Sequence, residues 1–133
     1  MGNFERIDHV ALVATDVERS TQWYIDVLGF ERLHEGMWNG VPVFVGRGNI
    51  AVAIFPVSPD RTAQPDDAGV RLLHFALRTN REGLAAAQEH LTRRGIKFEA
   101  QDHGIARSIY IRDPDDHEIE ITTYDLEERA PVP

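Results

Sequence analysis

The chain contains no cysteine. Disulfides, thiolate metal sites and a cysteine nucleophile are therefore excluded. No apolar run is long enough for a membrane helix, and the first residues lack the basic-then-apolar pattern of a signal peptide. A soluble, cytoplasmic protein is expected. There is no basic stripe, and the formal net charge is −8. A surface of that sign is a poor match for nucleic acid or an anionic membrane. What is present is a chain of 133 residues that is 42% hydrophobic, enough for one compact domain with its own core and too short for two. Its six histidines stand out, because imidazole serves both as proton carrier and as metal ligand.

One pattern is written twice, as in repeat architectures. Residues 7–31 read IDHVALVATDVERSTQWYIDVLGFE, and residues 72–99 read LLHFALRTNREGLAAAQEHLTRRGIKFE. Each opens on an apolar strand, His9-Val10-Ala11-Leu12 in the first and His74-Phe75-Ala76-Leu77 in the second. Each strand meets a capping-box signature, Thr15-x-x-Glu18 and Thr79-x-x-Glu82. A helix follows. Its apolar face holds Val17, Tyr24, Val27 and Leu28 in one copy and Leu84, Ala87 and Leu91 in the other. Gly29 and Gly95 suit the left-handed position that ends a helix.

The remainder of each copy reads as strands, at about 30–37, 41–46 and 49–55 in the first and 96–101, 107–112 and 117–124 in the second. GRGN (46–49) and DPDDH (113–117) supply the hairpin turns. The predicted fold is α+β, two tandem βαβββ modules in a single domain over 1–133. Module one spans 5–55, a Pro- and Asp-rich linker 56–69, module two 70–124 and an acidic, Pro-ended tail 125–133.

Strand parity gives the histidines meaning. His9 and Ala11 share the face opposite Val10 and Leu12, and His74 and Ala76 share the face opposite Phe75 and Leu77. The bulky residues belong under the helices, so both histidines point the other way, at equivalent places in the repeat. On the last strand, Glu120 lies opposite Ile119 and Ile121. Two imidazoles and a carboxylate make a facial set that suits iron(II), manganese(II) or another divalent ion and leaves positions open. Glu118 shares Glu120's face and competes for the role, but it lies nearer the turn.

These modules, with DHVAL, LGF, LHFAL and IYIRDPDDHEIEI, resemble the vicinal oxygen chelate superfamily over nearly the whole chain. That superfamily includes glyoxalase I, extradiol ring-cleaving dioxygenases, fosfomycin-resistance transferases and bleomycin-binding proteins. The resemblance implies curved sheets around a metal in a central cleft, with His9, His74 and Glu120 as ligands. It implies iron(II) in first place, with manganese, zinc or nickel as alternatives, a small-molecule substrate with vicinal oxygens, and a homodimer. The fourth ligand typical of glyoxalase I would fall near Ala53, which cannot ligate, and Ala11 stands where fosfomycin transferases carry a hydroxyl.

The three-ligand pattern is similar to that of extradiol dioxygenases, whose tyrosine ten residues before the glutamate corresponds to Tyr110 and whose loop histidine corresponds to His103. The function expected is therefore a metal-dependent, extradiol-type dioxygenase with Tyr110 and His103 in catalytic roles. A redox-inert lyase or isomerase of glyoxalase type, or a non-catalytic small-molecule binder with Trp23, Trp38 or Phe44 in its cleft, stands as the alternative. His34 and His90 read as surface residues and His117 as part of a turn.

Overall fold

The computed structural model describes residues 2–59 and 71–126. Most of the expected linker and most of the tail lie outside the described residues. The chain divides into two compact units, Met1–Arg71 with Asp113–Asp115, and Leu72–Arg112 with Asp116–Pro133.

In the first unit the order is β1 (Val10–Ala14), α1 (Val17–Leu28), β2 (Glu31–Leu33), β3 (Val43–Arg47) and β4 (Ile50–Pro56), with a short tight turn at Met37–Gly40 before β3. The sheet order is β1-β4-β3-β2, with β1 parallel to β4 and the other neighbours antiparallel. In the second unit β5 (Phe75–Arg78), α2 (Arg81–Arg93), β6 (Glu99–Asp102), β7 (Arg107–Arg112) and β8 (Glu118–Thr123) repeat the plan, with sheet order β5-β8-β7-β6 and β5 parallel to β8. The α+β class and the tandem βαβββ modules are both present.

Each helix covers one face of its own sheet, α1 against β3 and β4, and α2 against β8. Alternation along the strands supplies the buried layer. Leu12, Val45, Val52 and Ile54 fill it in the first unit, and Ile109, Ile111, Ile119 and Ile121 fill it in the second. From the helix side Tyr24 and Val27 close the first core, and Leu84 and Leu91 close the second.

Three local expectations are corrected. The helix caps are Asp16 and Asn80, one residue later than Thr15 and Thr79. Asp16 Oδ1 accepts from Arg19 N at 3.0 Å and Asn80 Oδ1 from Gly83 N at 2.8 Å. Asp and Asn are at least as good as Thr at this position, and Thr15 is engaged elsewhere, donating through Oγ1 to Asp115 Oδ1 at 2.7 Å. β2 stops at Leu33 rather than near 37, because His34 turns into the left-handed region at φ 53°. β6 begins at Glu99 rather than Ile96, because the chain is still closing α2. Gly95 N donates to Thr92 O and Ile96 N to Leu91 O, at 3.1 and 2.9 Å, with Gly95 at φ 69°.

The Asp113–Asp115 segment belongs to the first unit, and its anchor is buried. Tyr24, with 0% exposure, donates its hydroxyl to Asp113 Oδ2 at 2.8 Å, and Asp113 is 5% exposed. Burial, reinforced by the Asp113 charge, pushes the Tyr24 phenol well above the ordinary tyrosine range, so it stays a donor. Removing the hydroxyl deletes one hydrogen bond to a buried carboxylate. Tyr24→Phe is expected to lower stability by about 1–3 kcal/mol in urea denaturation, and an unchanged midpoint would contradict the assignment.

Candidate metal and proton-transfer site

The site grows from the register of β8. Glu120 pairs with Ala76 on parallel β5 and with Tyr110 on antiparallel β7. Its neighbours Ile119 and Ile121 are in the core, so the Glu120 side chain must leave by the opposite face. There it meets His74, which sits immediately before β5. His74 Nε2 lies 2.9 Å from Glu120 Oε1, with Glu120's side chain 13% exposed and His74's 34%. As a hydrogen bond this contact has one proton between the two atoms.

Glu120 is held from behind. Ser108, buried on β7, donates its hydroxyl to Glu120 Oε2 at 2.6 Å, and its Oγ also lies 2.8 Å from Thr122 Oγ1. One carboxylate oxygen is thus pinned and the other is presented to His74. Tyr110 stands beside them, its ring edge-on to His74 at 5.8 Å and 89°. Its hydroxyl is 2.9 Å from His103 Nε2. His103 lies just beyond β6, where its own amide donates to Ala106 O at 2.8 Å. Desolvation first, then the charge of Glu120 and the hydrogen bond to it, hold the Tyr110 phenol above its ordinary value. Tyr110 therefore remains protonated where a free tyrosine would begin to ionise.

His9 is in the first unit. Its Nδ1 lies 2.8 Å from Asp8 Oδ2, and that bond lowers the Asp8 carboxyl below its usual range. With Nδ1 donating to Asp8, it is the neutral form of the ring that carries a lone pair on Nε2, the usual arrangement of a ligand histidine. The His9 ring is edge-on to Phe44 at 5.2 Å. Strand register makes the two modules comparable position by position. Ala11 pairs with Ala53 as Ala76 pairs with Glu120, and Phe44 pairs with Ala53 as Tyr110 pairs with Glu120. Ala53 thus stands where the second module has its carboxylate, and the first module has no side chain there able to ligate.

The second unit therefore brings together His74, Glu120, Tyr110 and His103. Among the described residues, no three His, Cys, Asp or Glu side chains are grouped so as to hold a metal ion. Two supporting residues were missed in the sequence. Asp8 could have been found from its adjacency to His9. Ser108 could have been found from parity, since it faces the same way as Tyr110 two residues on.

A family described as the Glyoxalase/Bleomycin resistance protein/Dioxygenase superfamily matches residues 6–121. The chain belongs to this superfamily. Among similar proteins, the uncharacterised protein YaeR of Escherichia coli K12 is 28% identical, over 91% of this chain and 98% of its own length. Catechol-2,3-dioxygenase of Bacillus subtilis 168 is 29% identical over 86% of this chain, a match that spans 40% of the dioxygenase. The fold matches that of lactoylglutathione lyase from Agrobacterium tumefaciens, with a TM-score of 0.72 at 21% identity, covering 92% of this chain and 96% of that one. It also matches the fosfomycin resistance protein FosX from Listeria monocytogenes, with a TM-score of 0.69 at 20% identity, covering 96% and 100%. Proteins with names that point to different chemistries thus share this fold, and side chains rather than the scaffold have to distinguish them. No described helix is long and apolar enough to cross a membrane.

The raised Tyr110 titration has a direct check. Replacing Glu120 by Gln removes the neighbouring charge that opposes the phenolate. In Glu120→Gln the Tyr110 resonance, followed by NMR, is expected to titrate at lower pH than in the parent chain. An unchanged or higher midpoint would show that Glu120 does not act on it.

Proposed function

We propose that this chain is a divalent-metal-dependent enzyme acting on a small molecule with vicinal oxygens, with His9, His74 and Glu120 as metal ligands. We read the reaction as extradiol cleavage of a catechol-type ring with iron(II), in a homodimeric protein. The observation that carries this reading is the hydrogen-bonded His103–Tyr110 pair set against the His74–Glu120 pair on one sheet face. The 29% identity to a catechol-2,3-dioxygenase supports it.

The donors fit such an ion. One imidazole nitrogen and one carboxylate oxygen already converge within 2.9 Å, and a second imidazole is held by Asp8 with its Nε2 lone pair free. Nitrogen and oxygen donors of this mix suit iron, manganese, nickel and zinc. His9 comes from the same chain or from a second copy. When bound, the ion supplies Lewis acidity that favours the ionised form of two neighbouring substrate oxygens.

The remaining work falls to the chain's own groups. Glu120 keeps its orientation through Ser108. Tyr110, still protonated, offers its Oη–H to a substrate oxygen. His103 Nε2, hydrogen-bonded to that same Oη, takes up or returns a proton there, and its exposed position connects it to solvent. The absence of a ligating side chain at Ala53 argues against the four-ligand glyoxalase arrangement within this module. It leaves a lyase with a redox-inert metal as the second outcome of the test.

Protein purified without oxygen and reconstituted with iron(II) is expected to consume oxygen with one or more of a panel of catechols. Tyr110→Phe and His103→Ala should each lower the rate about 10²–10⁴-fold, the usual contribution of a positioned proton-transfer group. If iron(II) supports no oxygen uptake while manganese or zinc supports an oxygen-independent reaction, the dioxygenase reading falls. Ser108→Ala is expected to weaken divalent-metal affinity by about 10–100-fold in calorimetry. Unchanged affinity would remove Ser108 from the site.

A further inference from the structure

Where the second unit carries a carboxylate and a phenol, the first carries rings. Phe44 holds the register place of Tyr110, and Ala53, with 0% exposure, that of Glu120. Three other rings gather on Phe44. His9 meets it edge-on at 5.2 Å, His34 edge-on at 5.3 Å, and Trp38 lies at 5.2 Å with its plane tilted by 34°. His34 and Trp38 also touch each other edge-on at 5.8 Å. This cluster is not core. Trp38 is 51% exposed, and His9 and His34 are exposed as well.

The backbone beneath it is held at a cost. His34, Trp38 and Asn39 each have φ of 53°, a region that Asn and His enter more readily than a bulky residue such as Trp. Such residues gather at ligand clamps, where the strain fixes a functional side chain in place. Here it presents a half-open indole beside Phe44, with two imidazole edges at the border of the patch. Indole and phenyl groups bind flat rings by stacking and dispersion. The imidazoles add hydrogen-bonding capacity at a ring edge. The Asp8 carboxylate beside His9 disfavours a negatively charged ligand.

We propose that Trp38, Phe44 and His34 form a ring-binding subsite for a neutral flat aromatic diol, a catechol, whose oxygens lie toward His9. The choice of a diol rests on the function proposed above. The ring preference rests on the cluster itself.

The chain has only two tryptophans, and Trp23 is set on α1 against buried Tyr24, edge-on at 5.0 Å. Trp23→Phe therefore leaves Trp38 as the sole indole reporter. Catechol titrated into this full-length variant, stripped of metal by chelation, should quench Trp38 emission saturably. Cis-1,2-cyclohexanediol, which has vicinal oxygens and no aromatic ring, should not. By calorimetry on stripped protein with Trp23 intact, Trp38→Leu should weaken catechol binding at least tenfold and Trp38→Phe should retain most of it, with both variants folded by circular dichroism.

Metal affinity should be the same in Trp38→Leu as in the parent chain. Absence of saturable quenching, equal quenching by the saturated diol, or catechol binding unaffected in Trp38→Leu would overturn the subsite. An emission change that follows protein concentration alone would overturn it in favour of a contact with a second copy. The two readings fail separately. Stripped protein that binds catechol through Trp38 but consumes no oxygen when iron-loaded keeps the subsite and loses the dioxygenase. Oxygen uptake without any Trp38 effect does the reverse.

Discussion

β8 is pinned from both sides, parallel to β5 and antiparallel to β7, and the direction of Glu120 depends on that register. Because side chains alternate strictly along a strand, a slip of one residue would send Ile119 and Ile121 out of the core and Glu120 into it. The isoleucines bury on the helix side at 0% and 8% exposure. Their hydrophobic burial therefore sets the direction of a carboxylate they never touch. The same ladder puts Tyr110 directly across from Glu120 and Ser108 one alternation away, so a phenol, a hydroxyl and a carboxylate share one face.

Side-chain hydrogen bonds then refine what the backbone provides. Ser108 occupies one oxygen of Glu120, and the other is turned to His74. Asp8 performs the matching task for His9, fixing Nδ1 and leaving Nε2 available. Outer partners of this kind fix the orientation of a side chain in advance. The two modules follow one pattern and differ at the same register places. Glu120 and Tyr110 give one unit a polar, proton-handling face. Ala53 and Phe44 give the other an apolar one, to which Trp38 and His34 are added.

Much of this was legible in the sequence because the informative signals are short-range. The two His-x-Ala strings and the apolar alternation around Ile119 and Ile121 sufficed for the strands, their faces and the α+β repeat. The resemblance drawn from those strings led to the superfamily. Adjacent residues competing for one role were harder. Asp16 and Asn80 take the helix caps from the threonines before them, a choice decided in the first unit by Thr15 turning to Asp115. The length of β2 could not be read, since nothing about His34 as a residue type announces a left-handed backbone. Asp8 and Ser108 are placed by adjacency and parity, while the hydrogen bonds they make depend on side-chain rotamers. The pairing of His74 with Glu120 is long-range, and only the parallel β5–β8 register makes it.

We propose His9, His74 and Glu120 as the ligands of a single divalent ion. X-ray absorption on iron(II)-loaded protein tests it most directly. Wild-type protein should take up one ion per chain with about two imidazole ligands and oxygen donors, and His9→Ala and His74→Ala should each lose one imidazole from the coordination shell. A shell that keeps both imidazoles in either variant, or a protein that takes up no stoichiometric ion, would contradict it.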